Sequence, residues 1–515
     1  MNVSILWVDD EIDLLRSHIL FLEQKNYRVL TATNGEDALE LVEQNDFDLV
    51  FLDENMPGLS GLQTLALIKE THPMLPVVMI TKSEEENIMD QAVGAKIDDY
   101  LIKPVNPNQV LLSIKKHVHN RVLVNEKTTT DYRQAFGVLG QQIGMARTFK
   151  EWADIYKKLI QWGIQISESS DSNIGQVFQM QMSEANNEFG KFIKNHYYSW
   201  FDPKNEERPL MSHNVLRNMV FPIIDSGQNV LLILIDNFRF DQWKAIQGLI
   251  APYWRVEKEV IYSSILPTAT QYARNAFFSG LMPLEIQRMH PELWVFDEEE
   301  SGKNLYEEEL LKRQLQRLGK SYRMHYEKAG NLAGAPVKLN LKEMLKNQLT
   351  VLVYNFIDVI SHARTEMEMM RHLASDEAAY VSLTRSWFKH SDLFMLLKEA
   401  AEANVKLVIT TDHGTIRVKN PVKVVGDKAT STNLRYKLGK SLNYNPKEVF
   451  EIRKPEDIHL PKPNVSSSYI FALGYDYFVY PNNYNYYVKY YRDTFQHGGI
   501  SVEEMLVPYL EFKAV

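Results

Sequence analysis

The chain of 515 residues contains no cysteine. Disulfides are therefore excluded, and any metal site has to be built from His, Asp and Glu. An excess of positive charge is missing too, with 57 Lys and Arg against 66 Asp and Glu and a formal net charge of -9. A dedicated duplex-DNA reader carries a basic face that neutralises phosphates, so this balance argues against that class while leaving room for local basic patches. Long apolar runs are also absent. The longest, VLLILI at 230–235, falls far below the ~18 residues a membrane helix needs. The start, MNVSILWVDDE, has neither the basic region nor the apolar core of a signal peptide. These absences predict a cytoplasmic protein without membrane insertion.

An apolar content of 45% in this length is enough for about three domains at ~150 residues each. Residues 3–8, VSILWV, end in Asp9, Asp10 and Glu11. The same grammar repeats downstream: DLVFLDENMPG places Asp53 after a second apolar run, PVVMITKS places Thr81 after a third, and DDYLIKP places Lys103 after a fourth. Helical patterns lie between them. Alternation of this kind predicts a doubly wound parallel sheet with its ligands at the carboxyl ends of the strands.

The layout over residues 1–119 resembles the response-regulator receiver family, a flavodoxin-like fold. The resemblance implies that Asp53 is the phosphoacceptor. It assigns Mg²⁺ to Asp10, Asp53 and the backbone carbonyl of Asn55, with Asp9 assisting through water. Lys103 would pair with the phosphoryl group, Thr81 would hydrogen-bond it, and Tyr100 would be the aromatic that changes rotamer. A cis Lys103–Pro104 bond and a sensor histidine kinase as partner are also implied. A divalent ion would offset the repulsion among these carboxylates and the incoming phosphoryl oxygens.

Residues 120–207 change period. Tyr132, Phe136, Leu139 and Ile143 step by three and four, and Thr148 with Glu151 forms a capping-box pattern ahead of Trp152, Ile155, Tyr156 and Leu159. A third stripe runs through Ile174, Val177, Phe178 and Met182 towards Phe189, Phe192 and Ile193. We expect a three-helix bundle that spaces or relays. No basic recognition helix marks it as a DNA reader.

From 208 to 515 the strand–helix alternation returns. NVLLILID ends at Asp236, VLVYNFID at Asp358, KLVITTDH at Asp412 and His413, and a late turn, FQHGG, carries His497. His362 follows Asp358 at i+4, which shares one face if a helical turn begins there. Three carboxylates and three imidazoles without a thiolate suit zinc, and six ligands suffice for two ions. Two ions about 3.5 to 4 Å apart can clamp the attacking and leaving oxygens of a displacement at phosphorus. Such chemistry calls for a nearby hydroxyl, and ILPTATQY offers Thr268 and Thr270.

This order of motifs is similar to the PglZ branch of the alkaline phosphatase superfamily. The resemblance implies one zinc on Asp358, His362 and His497 and a second on Asp236, Asp412 and His413. Thr270 would be the nucleophile, favoured over Thr268 as the second threonine of a related Pro-Thr-x-Thr turn, and a threonine favours diesters over monoesters. Arg274 and Asn275 are candidates for contact with a substrate oxygen.

Residues 417–440 carry seven Lys or Arg against one acid, and YDYFVYPNNYNYYVKYY at 475–491 is rich in tyrosine. A basic groove beside aromatic faces would suit a cyclic or linear oligonucleotide. A solvated loop and a tyrosine-rich strand pair explain the same residues without a ligand.

Receiver, bundle and PglZ-type domain in this order resemble the PorX-type response-regulator family of Bacteroidetes. That resemblance implies dimerisation on phosphorylation and a link to type IX secretion, with a sigma factor or secretion component as a further partner. A zinc-stabilised docking module without turnover, or a phosphomonoesterase, are the alternatives to a phosphodiesterase.

Overall fold

The computed structural model describes the chain except residues 1–2, 74, 83–96, 168–171, 297–303, 330–340, 361–375, 404 and 428–429, and except the side chains of 119–127, 172 and 342. The chain divides into two compact units, residues 1–132 with 169–171 and residues 133–168 with 172–515.

The first unit is built on β1 (Ser4–Val8), β2 (Arg28–Ala32), β3 (Leu49–Asp53), β4 (Val77–Thr81) and β5 (Asp99–Ile102), all parallel, in the order β2-β1-β3-β4-β5. β3 and β4, LVFLD and VVMIT, are buried throughout, as the centre of a sheet covered on both faces requires. β5, at the edge, alternates between half-buried and exposed. One core layer contains Trp7, Phe51 and Ile80 and the other Leu6, Leu52 and Met79. The expected doubly wound sheet is present, and the Lys103–Pro104 bond is cis.

The second unit opens on the expected helices, Asn120–Met145, Phe149–Ser167 and Ser172–His196, the first of which begins before residue 133. The capping box at the second start is formed: Glu151 N donates to Thr148 Oγ1 (3.3 Å), and Thr148 N donates to Glu151 Oε2 (2.9 Å). From Leu139 onward these helices share one apolar core with the rest of the unit. Trp152, Tyr156 and Phe189 belong to the same cluster as Ile233, Leu407 and Leu510.

That core surrounds a six-stranded sheet. Its members are β6 (Val230–Ile235), β7 (Trp254–Ser263), β8 (Met324–Ala329), β9 (Leu349–Tyr354), β10 (Lys406–Thr410) and a C-terminal strand, Leu506–Ala514. β8, β9, β6 and β10 run parallel, while the C-terminal strand pairs antiparallel with both β10 and β7. β6 and β9 are buried at every position, so their chemistry can only emerge where they end. A smaller antiparallel sheet is made by Tyr436–Gly439, Ser468–Ala472 and Val449–Ile452. No described helix is long and apolar enough to cross a membrane.

Candidate functional site

Among the described residues, two groups bring ligand atoms within 4.8 Å of one another: Asp9 with Asp10 and Asp53, and Asp236 with Asp412 and His413. Each lies at the carboxyl ends of parallel strands, as the strand ends predict.

In the first unit, Asp9 follows β1 and Asp53 closes β3. Lys103, after β5, reaches both, with Nζ 2.8 Å from Asp9 Oδ2 and 3.0 Å from Asp53 Oδ1. Burial raises the Asp53 carboxyl; Lys103 pulls it down, and Asp9 and Asp10 push it further up. Three acids facing one ammonium leave excess negative charge, which fits a divalent ion. Asp10 and Asn55 are exposed at the rim. Thr81, at the end of β4, donates Oγ1–H to the buried Glu54 Oε2 at 2.7 Å, an acceptor the sequence reasoning did not anticipate. Tyr100 is 42% exposed on β5.

In the second unit, Asp236 follows β6, and Asp412–His413 follow β10. The latter turn is held by its own threonine, since Thr411 Oγ1 donates to His413 O (2.9 Å) and Ser264 Oγ donates to Asp412 O (2.7 Å). His413 Nδ1 lies 3.1 Å from Gly414 O, so this nitrogen carries the proton and Nε2 keeps its lone pair. Nε2 faces Asp236 Oδ1 and Asp412 Oδ2, each at 3.7 Å, and Thr270 Oγ1 at 3.1 Å. The set of two carboxylates and one neutral imidazole fits zinc.

Thr270 and Thr268 differ in what they hold. Thr268 is fully buried and spent on structure: Oγ1 donates to Gly499 O (2.8 Å) and accepts from Gly498 N (3.0 Å). Thr270 is the first residue of the helix Thr270–Ser279, with Oγ1 beside His413 Nε2 and 3.5 Å from Asp236 Oδ1. A helix start favours negative charge at this position.

Asp358 lies in a helical turn after β9, and its Oδ1 is 3.7 Å from His497 Nε2. His497 Nδ1 is 3.1 Å from Thr268 O. The rings of His413 and His497 stack with centroids 4.3 Å apart, so the Asp358–His497 pair adjoins the Asp236–Asp412–His413 cluster. His362 lies outside the described residues.

Arg274 occupies a different place from the substrate contact expected of it. It is 1% exposed, and its guanidinium pairs with Asp236, with Asp412 Oδ2 (3.0 Å from Nε) and with Glu307 Oε1 (3.4 Å from Nη1). Glu307 is backed in turn by Lys328 and by the Tyr326 hydroxyl, which donates to Oε2 at 2.7 Å. The arginine thus orients both carboxylates from behind. Burial pushes Asp236 well above the usual carboxylate range, against the pull of Arg274. For Asp412 burial also pushes upward, but the carboxyl is held low, with the guanidinium of Arg274 as the largest lowering influence. Asn275 is likewise buried. Glu307 lies in a charged helix, Glu307–Arg317, where nothing local set it apart from a solvated acid.

The basic stretch is less open than its composition implies. Arg435 is buried against Glu504, with Nη2 2.6 Å from Oε2, and Arg417 pairs with Asp493. Lys437 is buried beneath Tyr480, donating to Ser431 O (2.9 Å), and burial pushes its amine down to about 7. Lys423 and Lys440 are exposed. The tyrosines do not form a strand pair throughout. Tyr484–Tyr491 is a helix on which Tyr486 stacks with Tyr490 and Tyr487 with Tyr491, because i and i+4 share a face.

Comparison with known proteins adds to this geometry. A family model described as the BREX system PglZ alkaline phosphatase-like domain matches residues 215–512, a PorX response regulator linker domain matches 122–201, and a response regulator receiver domain matches 5–115. The transcriptional regulatory protein SrrA of Staphylococcus aureus (strain NCTC 8325 / PS 47) is 33% identical over 115 residues, which is 22% of this chain and 47% of that protein. The chain thus spans about half the length of the curated relatives it matches. Among solved structures, a CheY-like receiver domain protein from Methanospirillum hungatei JF-1 is 28% identical and covers 23% of this chain and 96% of its own, with a TM-score of 0.23. The receiver domain of NtrX from Brucella abortus is 32% identical over 22% of this chain and 98% of its own, with a TM-score of 0.22.

Proposed function

The chain belongs to the family of the BREX system PglZ alkaline phosphatase-like domain, and from that membership we propose a response regulator whose output is a zinc-dependent phosphodiesterase. The observation that carries this reading is Thr270 Oγ1 at the start of its helix, 3.1 Å from His413 Nε2 and 3.5 Å from Asp236 Oδ1. Asp236, Asp412 and His413 would hold one zinc, and Asp358 with His497, joined by His362, a second. When bound, zinc supplies Lewis acidity that favours an ionised hydroxyl at neutral pH.

Thr270 Oγ attacks phosphorus and the ester oxygen leaves. The Thr270 hydroxyl proton passes to water, since Asp236 and His413 would be taken up as ligands, and the departing ester oxygen takes a proton from water. Water then cleaves the Oγ–P bond and restores Thr270. Gly414 O keeps His413 in the tautomer that leaves Nε2 able to bind zinc, and Arg274 fixes the carboxylates of Asp236 and Asp412. The exposed Lys423 and Lys440, with the tyrosine face of Tyr484–Tyr491, favour a cyclic or linear oligonucleotide as substrate.

In the receiver, Asp53 takes the phosphoryl group from a sensor histidine kinase; Asp10, Asp53 and the Asn55 carbonyl would hold Mg²⁺, with Asp9 assisting through water. Thr81 leaves Glu54 to meet the phosphoryl oxygens, Lys103 pairs with them, and Tyr100 turns inward. The new dianion favours a homodimer, through which output activity responds. By resemblance to the PorX-type family, the setting is cytoplasmic control of type IX secretion, with a sigma factor or secretion component as a further partner. Residues 1–119, 120–207 and 208–515 are the corresponding functional segments.

A second reading is favoured by Arg274. Its pairing with Asp236 and Asp412 balances the cluster internally, as a zinc-stabilised docking module without turnover would require. Hydrolysis of a chromogenic phosphodiester and its monoester analogue, by zinc-loaded and metal-stripped protein, separates the two. Zinc-dependent diester cleavage that weakens with added salt supports the phosphodiesterase and its oligonucleotide substrate. Stoichiometric zinc without turnover supports the module, and monoester preference would identify a monoesterase. Sedimentation before and after acetyl phosphate treatment tests dimerisation, which an unchanged mass would refute.

A further inference from the structure

Asn186 lies on the helix Ser172–His196, in the segment whose stripe pattern predicts a spacer. It is fully buried. Its Nδ2 donates to both oxygens of Glu503, at 3.2 and 3.0 Å, and its Oδ1 accepts from Val502 N at 3.0 Å. One side chain therefore grips two consecutive residues on both their donor and acceptor sides. Replacing it would strand buried polar groups on the partner segment.

What it grips abuts both histidines. Gly414 N donates to Glu504 O at 3.1 Å, and a Cβ at Gly414 would lie 2.0 Å from Glu503 O. That is why the residue after His413 has to be glycine. Gly414 O in turn sits 3.1 Å from His413 Nδ1 and sets its tautomer. In the other direction along the chain, Glu504 Oε1 accepts from Gly499 N at 2.9 Å, two residues after His497. Gly498, with φ +121 and its Cβ position blocked by Tyr436, leaves that turn one way to run.

We propose that Asn186 is a positioning residue for the phosphodiesterase centre. By holding Val502 and Glu503, it fixes the segment against which the His413 and His497 turns are both set, so that the helical bundle completes the metal site. The inference rests on the phosphodiesterase reading for its consequence in turnover, but its structural content is independent of any substrate. Partners behind a ligand commonly change metal affinity about 10–100-fold when removed, and that is the effect expected here.

The test uses the full chain and an exchange of chemistry between partners. Asn186→Asp sets a carboxylate against Glu503. Glu503→Gln alone keeps an acceptor for Asn186. Combining the two restores a donor–acceptor pair with the roles reversed. Hydrogen exchange of peptides covering 412–416 and 497–505 is read on metal-stripped protein, zinc affinity by competition with a chromophoric chelator, and kcat and KM with the chromogenic diester. Asn186→Asp is expected to speed exchange in both peptides and weaken zinc at least tenfold. The double variant is expected to recover to within about threefold of Glu503→Gln on both readouts. Generally faster exchange that the second substitution fails to rescue would overturn the proposal by exposing mere structural damage. Wild-type exchange and zinc affinity in Asn186→Asp would overturn it too. Absence of diester turnover in the wild type would instead overturn the phosphodiesterase reading and leave the exchange comparison intact.

Discussion

The two carboxylate clusters of this chain grow from the same sheet grammar and are neutralised in different ways. In the receiver, three acids meet one lysine, whose ammonium bridges Asp9 and Asp53 and whose side chain is 16% exposed. In the second unit, Asp236 and Asp412 meet the buried fork of Arg274, braced by Glu307. A lysine is a mobile point charge on a long stem, whereas a guanidinium fixes the direction of each bond it makes. The first arrangement suits a charge that comes and goes. The second suits carboxylates whose orientation has to stay fixed.

The contrast can be broken at its strongest point first. Asp53→Ala is expected to abolish labelling by acetyl phosphate and to leave zinc-dependent diester hydrolysis by the unphosphorylated protein unchanged; a mobility-shift gel and an initial-rate assay check the two halves. Next in size, Thr270→Val should lower kcat by about 10³-fold or more, as nucleophile removal commonly does, at unchanged zinc stoichiometry.

Arg274→Met tests the permanence of the second cluster. Removing one partner of a buried ion pair costs about 3–5 kcal/mol, so urea unfolding followed by tryptophan fluorescence should show a markedly lower midpoint. Lys103→Met, on the partly exposed side of the comparison, should cost less on the same readout. An equal loss in both variants would erase the distinction drawn here.

The smallest effect concerns pH. Burial raises the Glu503 carboxyl to about 7 from an ordinary 4.5, with Glu377 adding to the shift and Arg239 and Asn186 opposing it. Between these values the folded state binds the extra proton. The contribution to stability is therefore full below pH 4.5 and is lost as pH rises through 7. Glu503→Gln should remove this slope and be the more stable protein at pH 8, by on the order of 1–3 kcal/mol, read from unfolding midpoints across that range.

Strand ends were legible because a buried parallel strand has nowhere to put a polar residue except its terminus. Asp9, Asp53, Asp236 and Asp412 could all be placed at sheet edges for that reason. The three bundle helices were legible from their stripes and from the Thr148–Glu151 pair. Other features depended on contacts far along the chain. Arg274 read as a substrate contact because it sits four residues after Thr270, yet its partners lie 33 to 138 positions away. The charge of the 417–440 stretch was plain, but the loss of Arg435 to Glu504 and of Lys437 to the interior was not. The tyrosine run favoured a strand by residue preference and became a helix at Tyr484–Tyr491, packed through Tyr484, Val488 and Tyr491 on a small apolar cluster.

The sequence by itself determined the layers, the order of the segments and the residue types at each sheet edge, since periodicity and strand termination are local properties. Only the tertiary structure decided which groups face one another. It set Thr270 rather than Thr268 beside His413, turned Arg274 towards its carboxylates, and brought Asn186 against a short helix that starts 316 residues later. Those pairings follow from the closure of one core around both bundle and sheet, which buries polar groups and obliges each to find its partner wherever the chain returns.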